Sequence, residues 1–347
     1  MKKTDYLRWP IEHIDITSFD ASPVINGMRR MAFTARDTAK AADILQAMIK
    51  DPQCTNILTI AGSTSAAGCM RIYGDMVKYN MVDVIVATGA AIVDMDFFEA
   101  MGFRHYQGDS AANDRELRKL YIDRIYDVFI DERELQQCDL TIKEIADNLE
   151  PRPYSSREFI REMGRYLTQH AVKRDSIVQL AFEQDVPIFC PAFTDSSAGF
   201  GLVKHHADSR HRHITIDSIR DLSELTRIKV AAHKTGLFVI GGGVPKNFAQ
   251  DIVISAEILG YVAPKHEYAV QISVADVRDG ACSSSTFKEA SSWGKVDPTI
   301  EQMVFAEATS VLPLIISYVY HQGDWKHRPM RAWGSFLNGS GGGERPE

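Results

Sequence analysis

Five times along this chain a short apolar run, rich in β-branched residues, gives way to a loop of glycine, serine, threonine or aspartate. Asn56–Ala61 leads into Gly62–Gly68 and an amphipathic stretch to about Tyr79, and Asp83–Ala87 leads into Thr88–Ala91 and a helix beginning near Asp94. Pro187–Cys190 leads into Pro191–Gly199, and Leu237–Ile240 leads into Gly241–Pro245 and a helix to about Leu259. Tyr268–Ser273 leads into a polar loop through Asp276, Asp279 and Gly280. Continuous apolar strands interleaved with helices describe an α/β fold, a mostly parallel sheet with helices on both faces. Ligands of such sheets bind beyond the carboxyl ends of the strands. Small residues there admit a ligand to the backbone, and the N–H groups of the next helix suit a pyrophosphate. In any one loop, glycine reads equally well as the residue a tight turn needs. Five such loops together favour a nucleotide-sized ligand. None matches G-x-G-x-x-G, so a standard dinucleotide fold is not indicated.

The 347 residues, 45% of them hydrophobic, suffice for one large domain over 1–335. An irregular N-terminal arm is expected over about 1–30. The strongly charged stretch 109–174, interrupted by Pro151 and Pro153, reads as a helical insertion, and the glycine-rich 336–347 as a flexible tail. No internal repeat is present. A net charge of −7 argues against a nucleic-acid binder. No apolar run approaches the roughly 20 residues that span a membrane, and no apolar segment follows Lys2-Lys3 as a secretory signal would require. The five cysteines, Cys54, Cys69, Cys138, Cys190 and Cys282, are odd in number and widely spaced. That pattern suits reduced thiols in a cytoplasm rather than disulfides or zinc. The run Lys204–His213 is rich in histidine but fits no zinc spacing, and its interleaved Arg210 and Arg212 would repel a cation. It reads as a solvated loop, and no metal is expected.

Among residues that could carry chemistry, Lys295 follows Trp293-Gly294 directly. An indole beside the amine would lower the local dielectric and favour the neutral, nucleophilic form. Gly294 gives the backbone freedom to seat the amine in a tight site. Glu289 suits a cationic substrate or, equally, an exposed helix charge. Asp195 suits ribose hydroxyls or, equally, an Asx-turn or helix cap. Cys282 has no histidine indicated as a partner, so it is not assigned as a nucleophile.

Several segments together resemble the deoxyhypusine synthase family. They are Cys190-Pro191-Ala192 with Thr194-Asp195, Gly241-Gly242-Gly243-Val244-Pro245-Lys246, and Glu289-Ala290-Ser291-Ser292-Trp293-Gly294-Lys295. Asn80–Gly89 and Tyr268-Ala269-Val270 fit it as well, in order from about residue 15 to 320. The resemblance implies a Rossmann-like α/β fold, a homotetramer of two tight dimers, and active sites at the dimer interface that hold NAD. It also implies a reaction. NAD takes a hydride from the carbon beside the secondary amine of spermidine, and the imine loses 1,3-diaminopropane. The aminobutyl group passes to an active-site lysine and then to an acceptor amine. By position Lys295 is that lysine, Trp293 a wall along the substrate's alkyl chain, and Glu289 a substrate contact. Ser63, Thr64, Ser65, Ala66, Thr88, Gly89, Ala90, Asp94, Asp195, Val274, Ala275, Glu307 and Ala308 would line the NAD site.

The departures from the family pattern fall on the substrate side. Phe200 and Cys282 stand where the family has acidic anchors, Asn247 stands where it has a histidine, and Val93-Asp94 stands where it has a paired Glu-Glu. A buried ammonium without a partner is costly, so the loss of two carboxylates implies a changed amine substrate. The resulting expectation is a deoxyhypusine-synthase-like, NAD-dependent aminoalkyl transferase acting on polyamines or related small amines. Homospermidine synthase is the alternative, followed by deoxyhypusine synthase proper and a non-catalytic NAD-binding protein.

Overall fold

The computed structural model describes residues 2–209 and 212–339. Six parallel strands form the main sheet: β1 (Cys54–Ile60), β2 (Val84–Ala87), β3 (Ile188–Phe189), β4 (Lys234–Ile240), β5 (His266–Ser273) and β6 (Val296–Phe305). Their order across the sheet is β6-β5-β4-β1-β2-β3. Successive side chains point to opposite faces, and both faces of the central strands are buried, so Ile57–Ile60, Val84–Ala87, Leu237–Ile240 and Tyr268–Ile272 are predominantly apolar. Leu58, Ile60, Phe238, Ile240, Val270 and Ile272 belong to one core layer, and Ile57, Leu237, Val239 and Ala269 to the other.

The helices that matter here are α1 (Phe33–Lys50), α2 (Glu132–Asp147), α3 (Ser156–His170), α4 (Ser197–Asp208), α5 (Ser218–Ala231), α6 (Gly243–Ile258), α7 (Phe287–Ser292), α8 (Ala308–Gln322) and α9 (Trp333–Asn338). Residues from α1 and α8 pack into the first layer, and residues from α5, α6, α7 and α9 into the second. Arg328 ties the C-terminal segment to the amino ends of β1 and β2. Its guanidinium pairs with the Asp83 carboxylate and donates to the carbonyls of Asn80 and Cys54, each at 3.0 Å.

Four expectations are revised. Strand β6 was not among the five units, because Asp297-Pro298 and Glu301-Gln302 break its apolar run. It lies at the sheet edge, where proline costs no ladder bond. Within the stretch read as a helical insertion, Ile122–Ile125 and Val128–Asp131 pair as a hairpin, to which His105–Gln107 adds a third strand. The hairpin turns at Tyr126, whose φ is 50°, and buries Val128, Phe129 and Ile130. Helices α2 and α3 follow it, capped by Asp131 and Ser155. The arm is only partly irregular: Ser22–Met28 is helical, and Ile16, Ala21 and Ile25 are buried. The segment read as a tail begins inside α9, which buries Trp333 and Leu337, while 340–347 lie outside the described residues.

The histidine run is also ordered over most of its length. Its first half ends α4, and His205 is buried with Nδ1 2.6 Å from Asp147 and Nε2 accepting from the Ile214 N–H. His206 lies 2.9 Å from the Ile214 carbonyl. Buried His205 staples α4 to α2 and to the segment before the next strand, whereas His206 remains exposed. Arg210 and His211 lie outside the described residues.

Candidate active site

All six strands run parallel, so the loops that follow them collect at one edge of the sheet. That edge gathers Ser63, Thr64, Ser65 and Ala66 after β1, Thr88, Gly89 and Ala90 after β2, and Asp195 after β3. Val274 and Ala275 follow β5, and Glu307 and Ala308 follow β6. Gly241, after β4, has φ +76°, and a Cβ there would meet the Ala61 carbonyl oxygen at 2.7 Å. Only glycine lets β4 turn this close to β1. Gly243 opens α6 with φ +58° and free space where a Cβ would stand. A depression of about 110 Å³ lies between Ala61, Thr88, Gly89, Ala192, Asp195 and Gly243.

The polar groups of this edge differ in how far they are committed. Thr88 Oγ1 accepts from the Ala91 N–H at 3.3 Å, and Thr64 Oγ1 lies 2.7 Å from the Tyr73 hydroxyl. Ser65 Oγ is buried without a hydrogen-bond partner among the described residues. Asp195 is exposed, and the residue capping the following helix is Ser196. Glu307 is used locally: it caps α8 by accepting from the Thr309 N–H at 3.1 Å. Ala308 is buried, and Val274 is exposed. Asp94 lies in the helical segment after β2 and accepts from the Ser197 N–H at 2.7 Å. Burial pushes its carboxyl up to about 7. A carboxyl poised there suits taking or giving a proton near neutral pH.

Lys295 sits elsewhere. Helix α7 is capped by Thr286, anchored by the buried Phe287, and ended by Gly294 at φ 77°. The Lys295 N–H donates to the Ala290 carbonyl at 3.1 Å, and the Lys295 carbonyl accepts from the His266 N–H at 3.1 Å. The backbone of Lys295 is thus fixed immediately before edge strand β6. Its Nζ lies 2.6 Å from Asp251 Oδ1 and donates to Asn247 Oδ1 at 3.3 Å. Asn247 Nδ2 donates to Asp251 Oδ2 at 2.8 Å, which closes a three-membered network. The Trp293 ring centroid is 5.4 Å from Nζ, a cation–π distance.

The far wall of this site is the loop 280–285. Buried Lys246 holds it, with Nζ donating to the Cys282 carbonyl at 3.0 Å and the Ser285 carbonyl at 2.5 Å. Burial pushes the Lys246 ammonium down to about 8. Burial also pushes the Cys282 thiol up, against the pull of Lys246 and Lys295. A depression of about 380 Å³ opens between Asn247, Cys282, Glu289, Trp293 and Lys295.

The residues expected to meet around one substrate therefore divide. Trp293, Glu289, Asn247 and Cys282 do surround Lys295. Phe200 and Asp94 do not, and the strand order gives the reason. Lys295 precedes β6, one edge strand, whereas Phe200 lies on α4 after β3, the opposite edge strand. Five strand spacings separate those edges, about 24 Å. Trp293 also departs from expectation: the residue is 66% exposed, so the amine pairs with a carboxylate and is not enclosed by the indole. Sequence reasoning missed Asp251 and left Lys246 without a role. The signal for Asp251 was its position, one helical turn after Asn247 on the helix that follows the three glycines.

Comparison with known proteins shows the family and the fold. The family model described as deoxyhypusine synthase matches residues 23–319. A deoxyhypusine synthase-like protein of Coxiella burnetii is 65% identical over 336 residues, covering 96% of each chain. One from Caulobacter vibrioides is 60% identical, covering 96% of this chain and 92% of its own. A probable deoxyhypusine synthase 2 of Methanosarcina mazei is 37% identical over 328 residues, covering 93% and 94%. The fold is shared with the crystal structure of a putative deoxyhypusine synthase from Entamoeba histolytica, with a TM-score of 0.60 at 18% identity, covering 90% and 97%. With the glycine-lined sheet edge and the Trp-Gly-Lys corner both in place, the chain belongs to the deoxyhypusine synthase family.

Proposed function

We propose that the protein is an NAD-dependent aminoalkyl transferase acting on small amines through an imine on Lys295, with a substrate pocket altered from the spermidine type. The observation that carries this reading is the setting of Lys295. Its amine lies in an open depression of about 380 Å³ beside an exposed indole, where a linear amine can reach it. The sheet edge fits a nucleotide. The buried Ser65 hydroxyl, without a partner among the described residues, the exposed Asp195 carboxylate and the open space at Gly243 offer polar groups and backbone without side-chain obstruction. Bound there, NAD would supply oxidation of a substrate amine to an imine and the return reduction of the product.

The chain's own residues would do the rest. Thr88 and Asp195 would hold and orient the cofactor, Asp94 would hold or move a proton beside it, and Lys295 would take over the aminoalkyl group. The edge depression, about 110 Å³ in one chain, is smaller than the roughly 300–1,000 Å³ of most small-molecule sites. It is also separate from the Lys295 depression, from which the first turn of α6 divides it. Both facts support sites completed between two copies of the chain, as in the dimer interfaces of the family. The five unpaired cysteines suit a reducing compartment such as the cytoplasm. Among the described residues no helix is long and apolar enough to cross a membrane.

The test is chemical trapping. The protein is incubated with NAD and a panel of di- and polyamines, reduced with borohydride, and mapped by mass spectrometry. An NAD-dependent adduct on Lys295, absent from Lys295→Arg, is expected, and its mass identifies the transferred group. No adduct with any amine would contradict the transferase reading.

A further inference from the structure

Two carboxylates and two ammonium groups stand at the Lys295 depression: Glu289 and Lys295 line it, Asp251 lies behind Lys295 against its amine, and Lys246 is buried behind the loop that forms the far wall. Lys246 is committed: its donors go to the Cys282 carbonyl and to the carbonyl and hydroxyl of Ser285. Asp251 is the acid in direct contact with the nucleophile, at 2.6 Å, and its second oxygen is steered by Asn247. Cys282, where the family pattern has an acidic anchor, brings no charge of its own to the loop side. A carboxylate therefore stands at the inner side of Lys295, and it comes from α6. It stands one helical turn beyond the position at which the family pattern has a histidine.

This arrangement poses a conflict. A substrate ammonium entering beside a charged Lys295 would leave three cations facing two carboxylates, and an unmatched charge in a half-buried pocket is unfavourable. Lys295 must also leave its ion pair before its nitrogen lone pair can attack. One event resolves both requirements: the carboxylate exchanges partners as Lys295 gives up its proton to solvent, which leaves two cations facing two carboxylates and frees the nitrogen lone pair.

We propose that Asp251 is the exchangeable counter-ion of this pocket, pairing with Lys295 in the free protein and with the ammonium end of the amine substrate once it binds. Resting on the Lys295 imine reading, this adds a specificity-determining residue and a substrate class: amines presenting one compact ammonium at this end. Asn247, held to Asp251 through its amide, orients the carboxylate for the exchange. Glu289, exposed on α7, guides the incoming cation. Lys246, pinned on α6, opposes entry of a second ammonium on the loop side, beside the thiol of Cys282.

The test reads Lys295 directly and needs neither NAD nor turnover. The full-length protein is labelled with formaldehyde and cyanoborohydride at pH 7.5, and the methylation rate of Lys295 is followed by peptide mass spectrometry. N,N-dimethylbutylamine serves as the ligand probe, a monocation with a four-carbon chain that cannot itself form a stable adduct. Wild type should be labelled slowly, and faster by roughly fivefold with saturating probe, the ratio that loss of a partly exposed ion pair corresponds to. Asp251→Asn should be labelled at the faster rate throughout and ignore the probe. Asp251→Glu should restore the wild-type pattern, which separates an exchanged charge from a merely structural role. The proposal fails if the probe slows or leaves unchanged the labelling of wild type, or if Asp251→Asn is labelled no faster than wild type. Absence of NAD-dependent adducts would sink the transferase reading without changing this readout.

Discussion

At the carboxyl edge of the sheet the ligand would meet backbone, glycine and short hydroxylated side chains. On the far side of the first turn of α6, the Lys295 depression presents long charged side chains in a hydrogen-bonded network. The two regions share no lining residue, although α6 contributes Gly243 to one and Asn247 to the other. The sheet edge is shaped by main-chain geometry, which tolerates little change: at Gly241 even a methyl group would collide with the Ala61 carbonyl. The lysine depression is shaped by side chains on loops and helix faces, which substitution alters without disturbing the fold. A cofactor site can therefore stay constant while the substrate site beside it drifts.

Substitutions can sharpen that contrast. The largest effect is expected from Lys295→Arg, which keeps a cation beside Asp251 but removes the nucleophile: trapped adduct should fall to background while NAD affinity is unchanged. Asp195→Ala should do the reverse. It should weaken NAD binding by about tenfold, the range for losing a charge-assisted hydrogen bond, and leave formaldehyde labelling of Lys295 as it was. Calorimetric titration with NAD checks the first half, and peptide mapping the second.

The third prediction concerns stability. The Asp94 carboxyl stands near 7 in the folded chain against an ordinary 3.8. The folded state thus binds the proton more strongly than the unfolded state between about pH 4 and pH 7. Across that window this group makes stability fall as pH rises. Asp94→Asn keeps an acceptor for the Ser197 N–H and cannot ionise. It should raise the Tm at pH 8 by about 2 °C or more while changing it little at pH 4, as measured by scanning calorimetry.

The smallest effect is expected from Trp293→Ala. With the indole exposed, its loss should raise KM for the amine roughly threefold and leave Tm within about 1 °C. A far larger loss would mean that a second copy of the chain encloses the indole.

How much of this could be read from the sequence follows the same division. Strands β1 to β5 were legible because burial on both faces leaves a predominantly apolar run. The loops after them were legible because their composition is dictated by the backbone. Edge strand β6 was not, since an edge tolerates Pro298 and polar residues. The hairpin at Ile122–Asp131 was hidden by surrounding charge. Lys295 and its neighbours Trp293, Glu289, Asn247 and Cys282 were found by their motif. Their pairing was not, because Asp251 lies 44 residues earlier in the chain and only the packing of α6 against α7 and β6 brings the two together. The separation of Phe200 from Lys295 was likewise invisible, as it depends on strand order.

If the two regions act on one substrate, the sheet edge of one copy faces the lysine of another. Subunit complementation tests it most directly. Lys295→Arg chains, intact at the sheet edge, are unfolded and refolded together with Asp195→Ala chains, intact at the lysine, and the NAD-dependent adduct is trapped with borohydride. With NAD held below its wild-type Kd, so that a tenfold weaker site stays nearly empty, each variant alone should give little adduct. In a random mixture half the dimers pair unlike chains and each of these has one intact site, so adduct should return to about a quarter of the wild-type level. A mixture no more reactive than the better of its parents would contradict the account.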